Sequence, residues 1–188
     1  MDPGEEAARI QEAQQGSQSA FGEIVRCYQR SIVRITWGLT RNAADADDLA
    51  QETFVRAWQA IRTFRVGEPI HPWLARIAVN LAYSLHRRRK RRPESSIEPL
   101  IEAGQQWGLD DDPADHASER ERDRLLEEAF AELKPEHQTV LVLRANQELS
   151  YDEIARTLHV PVGTVMSRLS RARAELKQRL AARTGESA

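Results

Sequence analysis

Apolar residues recur every three or four positions along the N-terminal half of the chain, which predicts three amphipathic helices. The first helix spans residues 19–40 and carries Phe21, Ile24, Val25, Tyr28, Ile32, Ile35 and Leu39. The second runs from about 45 to 61, with inward-facing Leu49, Phe54, Val55, Trp58 and Ile61. A loop that contains Gly67, Pro69 and Pro72 precedes a third helix, which begins at Trp73.

The C-terminal third of the chain predicts further helices, and the last two are joined by a tight turn. Ser150 and Glu153 form a capping box at the start of a short helix. Gly163 opens a second helix, and its apolar side consists of Val165, Leu169, Ala172 and Leu176. A short helix, a turn and a basic second helix are typical of a helix-turn-helix, whose second helix lies in the DNA major groove. An ordinary helical hairpin with a solvated basic face is the alternative.

No alternation typical of strands occurs in the sequence, so we expect an all-α protein. Residues 93–118 lack a sustained period and contain three prolines and two glycines, a composition typical of linkers. We therefore expect two small helical domains, over 15–92 and 119–183, joined by a flexible acidic linker over 93–118. Trp107 is unusual in such a polar segment, and we expect it to anchor the linker against one domain.

The formal net charge is only −2, but the charges are segregated along the chain. Residues 76–92 carry a local charge of +7, residues 93–119 carry −8, and residues 163–183 carry +5. Two basic zones separated by an acidic one suggest two DNA-contacting modules on a tether. The basic run that ends at Arg92 exceeds what a helix C-terminus needs, which favours phosphate binding over a solvated helix end.

Several classes of protein are disfavoured by the sequence. No apolar run approaches the roughly 20 residues that cross a bilayer, and the N-terminus has no apolar signal-peptide core, so we expect a cytosolic protein without membrane insertion. Cys27 is the only cysteine, and the five histidines are not paired at ligand spacing, so we expect no metal. Because phosphate-binding glycine loops and nucleophile motifs are missing, we expect neither a cofactor nor an enzyme.

Four strings, in order along the chain, resemble the extracytoplasmic-function (ECF) sigma factors of bacteria. They are DADDLAQETFVRAWQAIRTF (45–64), PWLARIAVNLAYSLHRR (72–88), LKPEHQTVLVL (133–143) and LSYDEIARTLHVPVGTVMSRLSRARAEL (149–176). The resemblance implies a promoter-recognition subunit of core RNA polymerase, with region two over 15–92 and region four over 119–183. Region two would bind the β′ clamp helices and open the minus-ten element, and region four would read the minus-thirty-five element and contact the β flap. A cognate anti-sigma factor is a further partner that the family implies.

An acidic patch near the start of the second helix is the candidate polymerase-binding surface. It consists of Asp45, Asp47, Asp48, Gln51 and Glu52, and we expect no basic residue near it. Helix capping alone needs only the first one or two acids. The later members form a polar stripe that suits a basic partner, so we favour an interface over capping.

The loop after the second helix resembles the family's loop that captures a base flipped out of the non-template strand. The candidate minus-ten residues in and after this loop are Phe64, Arg65, His71, Trp73, Arg76, Asn80, Tyr83, Arg87 and Arg88. Asn80 could read a base through its amide or simply lie on the helix surface. The sequence favours neither interpretation. The loop departs from the family pattern at Val66, Pro69, Ile70 and Pro72, so its base preference does not carry over.

The basic second helix of the helix-turn-helix is the candidate reader of the minus-thirty-five element. Its candidate residues are Thr164, Met166, Ser167, Arg168, Arg171 and Arg173. Many relatives carry arginine where this chain has Met166, and methionine cannot donate a bidentate pair to guanine. We therefore expect one guanine contact to be missing, with Arg168 and Arg171 making most of the polar contacts, whether to bases or to phosphates.

Other functions remain as alternatives at the level of sequence. A conventional helix-turn-helix regulator would carry a phosphate-accepting or ligand-binding N-terminal domain, and no alternating βα pattern precedes the linker. A polymerase-binding antagonist built on the same helices would lack the two basic faces. The acidic linker resembles a segment that threads the polymerase active-site cleft, but a plain solvated tether fits its composition almost as well.

Overall fold

The computed structural model describes residues 1–91, 113–145 and 149–184, and these ranges are helical throughout apart from short connections. The α-helices are α1 (Pro3–Gln14), α2 (Gln18–Thr40), α3 (Ala43–Ala60), α4 (Ile70–Arg91), α5 (Pro113–Ala131), α6 (Pro135–Arg144), α7 (Tyr151–Leu158) and α8 (Val162–Thr184). A 3-10 turn, Ile61–Thr63, follows α3. The described ranges contain no strand, so the predicted all-α fold is confirmed. Trp107 lies outside the described residues.

Side-chain caps explain where the predicted helices begin and end. Ser17 accepts a hydrogen bond from the Ala20 amide at 3.3 Å at the start of α2, and Arg41 ends that helix with a left-handed φ of 52°. The Asn42 side chain accepts from the Asp45 amide at 3.0 Å. This cap sets the first residue of α3 at Ala43, two positions before the predicted start. Helix α4 likewise begins three residues earlier than predicted, at Ile70.

Helix α1 is the element that the apolar pattern did not predict. The Asp2 carboxylate accepts from the Gly4 amide at 3.1 Å, and Pro3 occupies the first helical position, where its missing N–H costs nothing. Ile10 and Ala13 are buried against the neighbouring elements, α2 and the 3-10 turn. Because only two residues of α1 are buried, its apolar pattern is too sparse to predict a packed helix. It precedes residue 15, the expected start of the first domain.

The first domain, α1–α4, is built around α2, which contacts α1, α3 and α4. Its fully buried large side chains include Ile24, Ile32, Ile70 and Leu74. One prediction here is wrong, because Val55 does not face inward and is 50% exposed. Val55 lies seven residues after Asp48 and so shares the outer face of α3 with that acid.

The second domain, α5–α8, has the predicted helix-turn-helix at its end. The capping box at α7 is confirmed, with the Glu153 amide donating to Ser150 Oγ and the Ser150 amide donating to the Glu153 carboxylate. His159 ends α7 with a left-handed φ of 53°, which allows the tight turn into α8. The core of the pair consists of Leu149, Ile154, Val165, Leu169 and Ala172.

The two domains pack against each other chiefly through two pairs of helices, α2 with α6 and α4 with α7. The Thr157 hydroxyl of α7 donates to the Pro72 carbonyl of α4 at 3.2 Å. The Arg41 guanidinium lies over the Phe130 ring at 4.6 Å from its centroid, a cation–π contact across the interface. The buried side chains of both domains therefore form one continuous apolar cluster.

Candidate polymerase and nucleic-acid interfaces

The acidic patch of α3 is only partly available to a partner in this structure. The Arg89 guanidinium of α4 lies 2.7 Å from the Asp45 carboxylate, whose side chain is 18% exposed. Glu52 pairs with Arg56, one helical turn later, at 2.7 Å. The expectation that no base lies near the patch is therefore wrong, since folding brings Arg89 to it across 44 positions.

The unpaired remainder of the patch lies on the outer face of α3. Asp47, Asp48 and Gln51 are exposed at the solvent face, and Asp48 and Gln51 share it with the exposed Val55. An exposed apolar side chain beside polar and acidic ones is typical of protein interfaces, where apolar contacts lie inside a polar rim. The seven-residue spacing between Asp48 and Val55 indicates that both lie on the same face of α3. The prediction that Val55 faces inward did not take this spacing into account.

The predicted minus-ten loop has a buried base and an exposed tip. Phe64 is 9% exposed, and its ring packs against Trp73 with the centroids 4.9 Å apart, so both rings stabilise the loop's attachment. The Glu68 amide donates to the Arg65 carbonyl at 3.2 Å, which closes a four-residue turn at the tip. Gly67 supplies the positive φ, 92°, at the third turn position. Arg65, one of the candidate minus-ten residues, is exposed at this tip.

His71 lies at the other end of the loop and contacts α2. Its ring stacks on Tyr28 with the centroids 5.2 Å apart, and its Nε2 lies 2.7 Å from the Ser31 hydroxyl. These contacts fix the orientation of the imidazole. The structure therefore places His71 at the base of the loop, beside the candidate readers.

Helix α4 presents one exposed polar face, opposite its buried face of Leu74, Ala78 and Leu81. The residues exposed on it are Arg76, Asn80, Ser84 and Arg87, with Arg88 alongside. Tyr83 belongs to the same face but is half-buried, and its hydroxyl lies 2.7 Å from Thr139 Oγ1 of α6. The candidate minus-ten residues of α4 are thus brought together, and one of them contacts the second domain.

Helix α8 separates its candidate residues onto a central face and two flanks. Thr164, Ser167 and Arg171 follow helical spacing opposite the buried Val165, Leu169 and Ala172. Met166, 53% exposed, and Arg173 lie on one flank. Arg168 lies on the other flank, where its guanidinium is 3.7 Å from Glu136.

A cluster of charged groups fixes the C-terminal half of α8. His137 Nδ1 lies 2.8 Å from Glu175 Oε2. The Arg179 guanidinium forms ion pairs with two carboxylates, that of Glu175 at 2.7 Å and that of Glu132 at 2.6 Å. Hydrogen bonds from Arg179 and then His137 lower the pKa of the Glu175 carboxyl. Helix α8 is therefore attached to α6 and to the segment after α5.

Among the described residues, no three His, Cys, Asp or Glu side chains are grouped as metal ligands. No helix described here is long and apolar enough to span a membrane.

Comparison with known proteins identifies the family. Residues 24–92 match the model of Sigma-70 region 2, and residues 123–176 match that of Sigma-70 region 4. The ECF RNA polymerase sigma factor SigW of Bacillus subtilis is 31% identical over 179 residues, which cover 92% of this chain and 95% of the relative. The chain belongs to the ECF sigma factors. The ECF RNA polymerase sigma-E factor of Haemophilus influenzae is similar to this sigma factor at 32% identity, over 92% of this chain and 94% of the relative.

Solved structures agree with this family across both domains of the sigma factor. The structure of CnrH in complex with the cytosolic domain of CnrY has a TM-score of 0.72 and 28% identity, covering 95% of this chain and 98% of that chain. RpoE in complex with the anti-sigma factor NepR, from Bartonella quintana, has a TM-score of 0.67 and 25% identity, covering 85% of this chain and 96% of that chain. The sigma-factor assignment is thereby favoured over a conventional helix-turn-helix regulator, and sigma factors are transcription initiation factors.

Proposed function

We propose that this sigma factor binds core RNA polymerase through the outer face of α3 and directs it to promoters in the cytoplasm, without an enzymatic activity of its own. The polymerase-binding face consists of Asp47, Asp48 and Gln51 around Val55, with Asp45 and Glu52 at its edges. Its exposed carboxylates suit a basic helical partner, which we propose to be the β′ clamp helices.

The minus-ten element would be read by the tip of the 64–69 loop together with the polar face of α4. Arg65 offers a cation at the exposed tip, and Asn80 offers an amide that can bond a base edge. Arg76, Arg87 and Arg88 are exposed on or beside the same face and would bind phosphates. Phe64 and Trp73 would act indirectly, by fixing the base of the loop.

The minus-thirty-five element would be read by the central face of α8, in the major groove. Arg171 is exposed on this face, one helical turn beyond Ser167. Arg168 and Arg173, on opposite flanks, would contact the two phosphate backbones that border the groove. Met166 would offer apolar contact to a thymine methyl group. The observation that carries the whole proposal is that α3, α4 and α8 each expose a polar stripe opposite their buried face.

The packed arrangement of the two domains suggests an inhibitory partner. Two neighbours that share this fold were solved in complexes, CnrH with the cytosolic domain of CnrY and RpoE with the anti-sigma factor NepR. We propose that an anti-sigma factor likewise binds this chain in the packed arrangement, in which Tyr83 contacts Thr139.

Transcription with purified core polymerase on fragmented genomic DNA, with the start sites read by sequencing, tests the proposal. We expect start sites that share two sequence elements at fixed spacing and that depend on the added protein. Specific, tight binding of promoter duplex by the isolated chain, with no change in polymerase start sites, would instead support a conventional regulator.

A further inference from the structure

Helix α1 contacts the beginning of the minus-ten loop through one side chain. The Gln14 amide Nε2 donates to the Ile61 carbonyl at 3.0 Å and to the Phe64 carbonyl at 2.7 Å. Both carbonyls lie where the 3-10 turn ends and the loop starts. Because a single planar amide bonds both oxygens, it fixes the direction in which the chain leaves α3.

The same helix contacts the end of the loop through Glu6. Its Oε1 accepts from the Ile70 amide at 3.1 Å, and its Oε2 accepts from the Tyr28 hydroxyl. The Ile70 amide is the first of α4 and has no acceptor within its own helix, so Glu6 caps α4 from outside. Burial and the hydrogen bond to Glu6 raise the pKa of Tyr28 well above its usual range, so this hydroxyl remains the donor.

Helix α1 is itself held rigidly, as a positioning element must be. Ile10 is fully buried, Ala13 is 1% exposed, and Arg9 pairs with Glu23 of α2 at 2.6 Å. Glu6 and Gln14 lie eight residues apart, about two helical turns, so they project from the same side of α1. One rigid helix therefore spans the two ends of the loop and leaves its tip exposed.

We propose that α1 is the positioning element of the minus-ten loop, with Glu6 and Gln14 as the residues that set the loop's base preference. This inference rests on the proposed function, in which the tip of the loop reads the minus-ten element. Neither residue would touch DNA. They act by holding Phe64 and Ile70, the two attachment points of the tip, at a fixed separation.

Isosteric and truncating variants separate positioning from simple packing. Gln14→Glu keeps the side-chain shape but directs a carboxylate at two carbonyl oxygens, and Gln14→Ala removes the donor without adding charge. Glu6→Ala removes both acceptor oxygens, whereas Glu6→Gln keeps one acceptor for the Ile70 amide. The matched controls are Gln11→Glu and Glu5→Ala, which make the same changes at exposed positions of α1.

The measurement uses the full chain with core polymerase and a promoter library randomised in both elements, with transcripts sequenced. We expect discrimination at one or more minus-ten positions to fall about tenfold in Gln14→Glu and Glu6→Ala, the loss that one or two part-buried hydrogen bonds give. Glu6→Gln should stay near wild type, and both controls should match it. The minus-thirty-five preference should be unchanged, and amide exchange at Ile70 should accelerate in Glu6→Ala.

A wild-type minus-ten preference in folded Gln14→Ala and Glu6→Ala would overturn the inference and leave α1 a packing helix. Circular dichroism confirms folding of each variant. Arg65→Ala, in the tip, tests the underlying proposal separately. If Arg65→Ala alters the minus-ten preference and the α1 variants do not, only the role of α1 is lost. If none of them alters it, the loop does not read the element and both proposals fail.

Discussion

Gly38 of α2 lies directly against the Val142 side chain of α6, where the two domains pack together. A Cβ atom added to Gly38 would lie 2.8 Å from both methyl carbons of Val142, closer than such atoms pack in proteins. Valine is stiff about its first side-chain torsion, so its methyl groups have little freedom to move away. The absence of a side chain at Gly38 is therefore what permits α2 and α6 to pack together.

We predict that Gly38→Ala weakens the packing of the two domains. Overpacking costs about 1–3 kcal/mol, which exceeds the roughly 0.5–1 kcal/mol that alanine contributes within a helix. Gly22→Ala is the matched control on α2, because its Cβ would meet only Arg26 Nη1, at an ordinary 3.8 Å. The melting temperature of Gly22→Ala should be higher than that of Gly38→Ala. Small-angle scattering should show a larger radius of gyration for Gly38→Ala than for Gly22→Ala. Equal stabilisation by both substitutions would contradict the packing seen here.

Charge reversal at Asp48 should weaken the association with core polymerase. Asp48 is exposed and unpaired among the described side chains, whereas Glu52 is already bonded to Arg56, so Asp48→Lys is the sharper probe. We expect a loss of about 1–3 kcal/mol in binding, from repulsion of a basic partner. Glu5→Lys makes the same charge change on α1 and should bind normally in the same fluorescence titration. Unchanged affinity of Asp48→Lys would leave the acids of α3 as helix caps.

Arg171→Ala distinguishes base readout from phosphate binding on α8. If Arg171 contacts a base, its loss costs roughly 1–3 kcal/mol and relaxes preference at one minus-thirty-five position. If it contacts a phosphate, binding of all sequences weakens alike and the salt dependence becomes less steep. Lys177→Ala, an exposed cation farther along α8, is the control and should leave the preference unchanged.

Met166→Arg should shift the minus-thirty-five preference toward guanine at a neighbouring position. The side chain is 53% exposed on the flank of α8 that it shares with Arg173, so an arginine there has room to extend. Its guanidinium would supply the bidentate donor pair that methionine lacks. A randomised-promoter selection that returns the wild-type preference would show that this flank does not face the bases.

Acid should weaken the attachment of α8 because of Glu175. Arg179 and His137 hold the pKa of Glu175 below its ordinary value of 4.5. The carboxylate therefore contributes its full stability above pH 4.5, and the contribution is lost as pH falls through the lower folded pKa. Glu175→Gln removes this titration. The melting temperature of the variant should therefore fall less than that of wild type between about pH 5 and about pH 3. An equal fall in melting temperature for the two proteins would contradict this role of Glu175.

Local sequence patterns predicted α2, the helix-turn-helix and its capping box, because these elements carry dense local signals. Helix α1 was missed since its two buried apolar residues give too weak a period. The pairing of Asp45 with Arg89 joins distant segments, and no local pattern encodes such a contact. The same holds for Gly38 and Val142, which meet only because the two domains pack together.

Much of the candidate site follows from spacing along one helix, as the exposed faces of α4 and α8 show. The loop was harder to predict, because its conformation depends on side chains from α1 that lie more than 40 residues earlier. The sequence predicted a loop that contains Gly67, but not the four-residue turn in which Gly67 adopts a positive φ. The site residues themselves remain predictions until the variants are tested.

The contact of the Tyr83 hydroxyl with the second domain implies a competition between that domain and promoter DNA for one face of α4. On the proposed assignment, the face of α4 that binds the minus-ten strand is also the face that holds Thr139 at 2.7 Å. The second domain and a DNA strand cannot occupy this face at the same time, so on this assignment the packed state lowers the apparent affinity for promoter DNA. Linkage makes the effect reciprocal: whatever separates the domains raises affinity for DNA, and DNA in turn favours their separation.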